Sequence, residues 1–86
     1  MKHISARETD MDVFEREFEK TVNVGICYLS YYERTRKLEF ANYASKNLGY
    51  AIAIAYMAYM YDYIDWFQYD SIEESLSDTV TNIIKK

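Results

Sequence analysis

Apolar residues recur every three or four positions near the start of the chain, as they do on one face of a helix. The residues on that face are Met11, Phe14, Phe18 and Val22. The charged residues between them fall mostly on the other faces. Ser5 and Glu8 have the spacing of a capping box, in which two side chains bond unpaired amides at a helix start. The pattern predicts a helix from about residue 6.

Residues 21–32 fit either a helix or a strand. Val22, Val24, Ile26 and Tyr28 alternate with other residues, which is typical of a strand, but the opposite face is not polar. Alternatively, Gly25 closes the first helix as its C′ residue, and a second helix runs over about 26–46. We favour the helix, because a strand needs a pairing partner and the nearby segment 38–43 contains good helix formers.

Two further signals predict where the later helices begin and end. Asn47, Leu48 and Gly49 are typical of a helix stop with Gly49 at C′, so the next helix is expected over about 50–67. Ser71 and Glu74 form a second capping box, which predicts a last helix over about 72–84. The fold class is therefore all-α, a small bundle of three or four helices in one domain, residues 1–86.

The segment from Leu48 to Tyr69 is rich in aromatic residues and methionine. It contains six tyrosines and two methionines, and its only charges are Asp62 and Asp65. Aromatic residues and methionine are enriched where proteins bind other proteins. The predicted helix is apolar nearly all round, so we expect one side to be core and another to be an interface. The expected interface residues are Tyr56, Tyr59, Met60, Tyr63 and Trp66.

The same segment predicts self-association. A chain of 86 residues buries only about 60–65% of its unfolded surface, and soluble monomers rarely tolerate a large exposed apolar patch. Tyr59 and Met60 lie on different helix faces, so at least one of them is expected outside the monomer core. Arg34, Arg36 and Lys37, with Lys46 further on, form a basic cluster, and most such clusters are solvated faces. A more specific hypothesis is that this cluster meets the acidic C-terminal half of a second copy in a two-fold dimer.

The net charge of −4 is unevenly placed. Residues 47–84 contain acids but no lysine or arginine, and such a surface repels phosphate backbones, so we expect no direct nucleic-acid binding. These acids form the expected acidic surface: Asp62, Asp65, Asp70, Glu73, Glu74 and Asp78.

No group of residues indicates catalysis. His3 is the sole histidine, so a zinc site lacks its usual ligands. Cys27 has no recognisable nucleophile motif around it and is expected to be a small buried side chain. The paired carboxylates, such as Asp62 and Asp65, are expected on a solvated face. We therefore expect no enzyme activity, no cofactor and no bound metal.

The leading hypothesis is a non-enzymatic protein-binding module, a small regulator or inhibitor that acts through its aromatic and methionine-rich helix. The alternative is an acidic decoy that blocks a nucleic-acid-binding groove on a target enzyme. A membrane role is disfavoured, because the longest uncharged run, residues 48–61, is shorter than the roughly 17–25 residues of a spanning helix, and no signal peptide is apparent. A single cysteine fits a cytoplasmic location.

Overall fold

The computed structural model describes the backbone of residues 6–85 and the side chains of residues 11–82. This part of the chain is all-helical and contains no strand, which confirms the predicted fold class. Its helices are α1 (Ala6–Thr35), α2 (Leu38–Met60) and α3 (Trp66–Lys85). The ambiguous segment 21–32 is therefore helical. The first capping box, which includes Ser5, lies outside the described residues.

The three helices run up, down and up, and α2 contacts both of the others. The Phe14 ring lies near that of Tyr63, just after α2, at one end of α1, and the Tyr28 ring lies near that of Tyr43 towards the other end, so α1 and α2 are antiparallel. α3 returns along α2 after a short connection. The Cα atoms extend over 52 × 27 × 12 Å, so the bundle is flat.

The core is thin because α2 presents mostly alanine to its neighbours. Leu48 is its one large buried side chain, and it clusters with Leu29 of α1 while Leu76 and Val80 of α3 pack against them. Small side chains let helices approach closely, but they fill little space. The buried residues of α2 are Ala41, Ala44, Leu48, Ala51, Ala55 and Ala58.

Both glycines lie inside helices, so the predicted helix stops at Gly25 and Gly49 are wrong. A Cβ atom on Gly25 would lie 2.7 Å from Cδ2 and 2.8 Å from Cγ of Leu48. Gly25 therefore serves close packing, because its missing side chain leaves room for Leu48. A Cβ atom on Gly49 would meet nothing within 4 Å.

The helices end instead at two residues with positive φ, Arg36 (57°) and Asp62 (62°). The Arg36 amide donates to the Tyr32 carbonyl at 2.7 Å, which is the single bond of an αL cap. After α2, the Tyr63 amide donates to the Ala58 carbonyl and the Asp62 amide donates to the Tyr59 carbonyl. These two bonds form a Schellman motif. The predicted helix over 50–67 is thus wrong beyond Met60.

α3 begins at a different capping box from the predicted one. The Asp65 carboxylate accepts from the Gln68 amide at 2.8 Å, and the Gln68 side-chain oxygen accepts from the Asp65 amide at 2.9 Å. This reciprocal pair satisfies two amides at the helix start. Ser71 lies inside α3, so its predicted role as the N-cap is wrong. Because Asp65 and Gln68 start the helix upstream of Ser71, the capping box predicted for Ser71 and Glu74 is not needed.

The position of the cap predicts a contrast between two substitutions. Asp65→Ala should lower the free energy of unfolding by about 1 kcal/mol, because it leaves a helix-start amide without its acceptor. Ser71→Ala, the matched control, should change it by less than about 0.5 kcal/mol. Urea titrations of both variants measure the difference. An equal loss in the two variants would show that Asp65 is not the dominant cap.

Candidate functional site

The side of α2 turned away from its buried alanines is exposed and uncharged over three turns. We call it the outer face of α2, and it consists of Gly49, Tyr50, Ala53, Tyr56, Met57 and Met60. Tyr50 and Met60 are the most open of its large side chains, with 53% and 60% of their surface exposed. From Gly49 to Met60 this face runs about 17 Å along the helix.

The outer face is exposed because α1 and α3 cover only the alanine side of α2. A helix that is apolar nearly all round is normally buried on several sides. α2 has two neighbours among the described residues, and both contact its inner stripe. Its bulky tyrosines and methionines are consequently left at the surface, where water solvates them poorly.

One aromatic cluster joins α2 to the start of α3. The Tyr59 ring centre lies 5.4 Å from that of Trp66 and 6.0 Å from that of Tyr69, and Tyr56 lies 5.5 Å from Tyr69. These separations suit favourable ring pairs. Desolvation raises the pKa of the Tyr69 hydroxyl, and the nearby carboxylate of Glu73 raises it further. Both effects disfavour the ionised form of the Tyr69 hydroxyl.

A second aromatic cluster holds the α2–α3 connection against α1. The Phe14 ring centre lies 5.4 Å from that of Tyr63 and 6.0 Å from that of Tyr61. Tyr63 is half-buried there, whereas Tyr61 is exposed. This cluster holds the residues that follow α2 against the N-terminal half of α1.

The structure separates the five predicted interface residues into two groups. Tyr59 and Tyr63 are half-buried in the ring clusters that hold the bundle together. Met60 and Tyr56 belong to the exposed outer face, and Trp66 is exposed beside it, although the Tyr56 and Trp66 rings also contribute to the first cluster. Tyr50 and Met57 were not among the predicted interface residues. The sequence pattern that indicates their exposure is the 3–4 spacing of Tyr50, Ala53 and Met57 on the side of α2 opposite the buried alanines.

The six predicted acids lie in three places. Asp70, Glu74 and Asp78 form an exposed stripe on α3 at successive four-residue spacings. The half-buried Glu73 carboxylate accepts a hydrogen bond from the Ser77 hydroxyl at 3.3 Å on a different face. The remaining two, Asp62 and Asp65, are exposed in the connection after α2.

The basic cluster lies at the opposite end of α2 from that connection. The Arg34 guanidinium lies 4.9 Å from the centre of the Tyr31 ring, and the Arg36 guanidinium lies 5.6 Å from that of Tyr32. Lys37 is the N-cap residue of α2. Glu33 and Glu39 adjoin these three bases, so the start of α2 carries a small net positive charge, whereas the connection after α2 is acidic, and the outer face lies between them.

An apolar groove runs between α1 and α3 and has α2 as its floor. Its volume is about 230 Å³, and Glu15 is the charged residue at its edge. The apolar lining is Met11, Phe14, Phe18, Ile54, Ala55, Ala58, Tyr63, Ile64 and Ile72. Most of these side chains are half-buried or buried, whereas the large side chains of the outer face of α2 are exposed.

The residues considered for catalysis or metal binding do not form a shared site in the part of the chain that the structure describes. Among the described residues, no three His, Cys, Asp or Glu side chains are grouped as metal ligands. Cys27 is exposed, so its predicted burial is wrong. It lies on the side of α1 away from α2, since Gly25, Leu29 and Tyr32 occupy the packed side. His3 lies outside the described residues.

The chain matches no protein-family model, no curated protein and no solved structure. Within the described part of the chain, none of the helices combines the length and the apolar character that crossing a membrane requires. Its function is therefore inferred from the surface of the bundle.

Proposed function

We propose that the protein is a non-enzymatic protein-binding module, a small regulator or inhibitor, that binds through the outer face of α2. The observation that carries this proposal is the row of exposed tyrosines and methionines with no charge among them. Tyr50, Met57 and Met60 are of the types enriched in interface cores, from which charged residues are depleted. The charged groups flank this row, as they do at the rim of an interface.

The energetics favour coverage of this face by a partner. Burying a methionine side chain completely contributes about 1.5–3 kcal/mol. Met57 and Met60 leave roughly half of that contribution unused in the isolated chain, given their exposure of 46% and 60%. Tyrosine adds large contact area, and its hydroxyl remains able to reach water or a partner's acceptor.

The alternative function, an acidic decoy for a nucleic-acid-binding groove, has one supporting feature. Asp70, Glu74 and Asp78 present three carboxylates in a row on α3 over about 12 Å. We place it second because Glu73 faces another side and the remaining acids lie in the connection. A mimic of a phosphate backbone needs a longer continuous row of negative charges.

The proposal is tested by the proteins that co-purify with the tagged chain from its native host. Met57→Glu and Met60→Glu each place a charge on the outer face and should reduce the recovered partner at least tenfold. Ile26→Glu, which replaces a side chain on α1 with 51% exposure, is the matched control and should retain the partner. Circular dichroism should show equal helicity in all variants.

The opposite pattern would contradict the proposal. If both methionine variants retain the partner and a chain with Asp70→Asn, Glu74→Gln and Asp78→Asn loses it, binding occurs through the acidic stripe. The decoy hypothesis would then replace the outer face as the account of function.

A further inference from the structure

Gly49 makes no packing contact that explains its missing side chain among the described residues. It lies inside α2 with an ordinary helical backbone, since no described glycine has positive φ. Glycine in a helix interior is destabilising relative to alanine. At Gly25 the contact with Leu48 explains that cost, but a side chain at Gly49 would point into open space. The missing side chain at Gly49 therefore suits the close approach of something outside the chain.

The charges at the two ends of α2 restrict what that partner is. Arg34, Arg36 and Lys37 outnumber the acids Glu33 and Glu39 at the start of the helix, which leaves a net positive charge there, and Asp62 and Asp65 follow the helix. The helix between them is about 35 Å long, which is more than the Debye length at physiological salt. The charges at each end therefore attract opposite charges on a partner independently of the other end. A matching surface must be apolar in the middle, acidic at one end and basic at the other. The chain itself presents such a surface in reversed order.

We propose that the outer face of α2 binds the same face of a second copy, with the two α2 helices antiparallel. This inference rests on the proposed function and names the partner at that face. The two-fold axis passes between Gly49 and Ala53, so Gly49 of each copy faces Ala53 of the other. The basic end of each copy then lies beside the acidic end of its partner, as an isologous interface requires.

The small residues and the charges have separate roles in this pairing. Gly49 and Ala53 let the two backbones approach, and Tyr50 and Met57 pack along the sides of the contact. Exposed ion pairs contribute little to affinity, so the apolar face supplies most of it. The charges select the direction, because a parallel pair would place Arg34, Arg36 and Lys37 of both copies together.

Cysteine cross-linking of the full chain tests the orientation. In a Cys27→Ser background, Asn42→Cys and Met60→Cys are prepared as separate proteins, and both positions are exposed. An antiparallel pair places position 42 of one copy opposite position 60 of the other. It separates the two copies of position 42 by about 27 Å, far beyond the roughly 7 Å between Cα atoms that a disulfide spans. Oxidised glutathione serves as the oxidant, and Cys27→Ser alone is the control.

The expected result is a disulfide-linked dimer from the mixture and none from either protein alone. Disulfides in each protein alone would establish a parallel pair and overturn the proposed orientation. No cross-link in any sample, together with a monomer mass for the wild type, would overturn pairing with a second copy. The proposed function would then still be judged separately, because loss of a different native partner by Met57→Glu would support it.

Discussion

Leu48→Ala is expected to lower the free energy of unfolding by about 2–5 kcal/mol. Leu48 is the largest side chain with essentially no exposed surface among the described residues. It lies between Gly25 and Leu29 of α1, and Leu76 and Val80 of α3 pack against the same cluster. Because alanine occupies the neighbouring inner positions of α2, that helix offers no long side chain to fill the cavity that this truncation leaves.

A urea titration of dilute protein measures this loss without a contribution from association. Leu38→Ala is the matched control, since Leu38 is 70% exposed at the start of the same helix. It should change the free energy of unfolding by less than about 0.5 kcal/mol. A loss at Leu48 no greater than that at Leu38 would show that the three helices do not share the core described.

Alanine substitutions at the two glycines are expected to have opposite effects. Gly25→Ala should lower the free energy of unfolding by about 1–2 kcal/mol, because overpacking against Leu48 costs about 1–3 kcal/mol and exceeds the gain in helix propensity. Gly49→Ala should raise it by about 0.5–1 kcal/mol in the monomer, because its new side chain meets open space.

The free energies of unfolding of the Gly25→Ala and Gly49→Ala variants are measured by thermal and urea unfolding, at concentrations low enough to keep the chain monomeric. Both substitutions make the same chemical change inside a helix, so each serves as the control for the other. Stabilisation by both would mean that α1 and α2 are not as close at Gly25 as the structure shows. Destabilisation by Gly49→Ala would reveal a contact at Gly49 within the monomer.

The sequence predicted the fold class but not the ends of the helices. Periodic apolar residues and the absence of proline correctly indicate helices. Gly25 and Gly49 gave false stops because glycine is useful both for positive φ and for close packing, and a single sequence does not distinguish the two uses. The actual stops, at Arg36 and Asp62, are at non-glycine residues, for which positive φ is uncommon, although aspartate adopts it more often than arginine. The sequence therefore gives little sign of them.

The surface was harder to predict than the fold for a geometric reason. An aromatic segment shows that excess apolar area exists, but the directions from which α1 and α3 approach decide which side chains remain exposed. Met60 falls on the open side, whereas Tyr59 and Tyr63 are used to hold α3 and α1. The regular alanines of α2 were the available signal, since small residues at 3–4 spacing indicate where neighbouring helices come closest.

Sedimentation equilibrium at high micromolar concentration tests most directly whether the outer face of α2 binds a second copy of the chain. The wild type and Ile26→Glu should both give twice the chain mass of 10.3 kDa. Met57→Glu and Met60→Glu should give the monomer mass with unchanged helicity. A wild type that remains monomeric, or methionine variants that keep the dimer mass, would contradict self-association through this face.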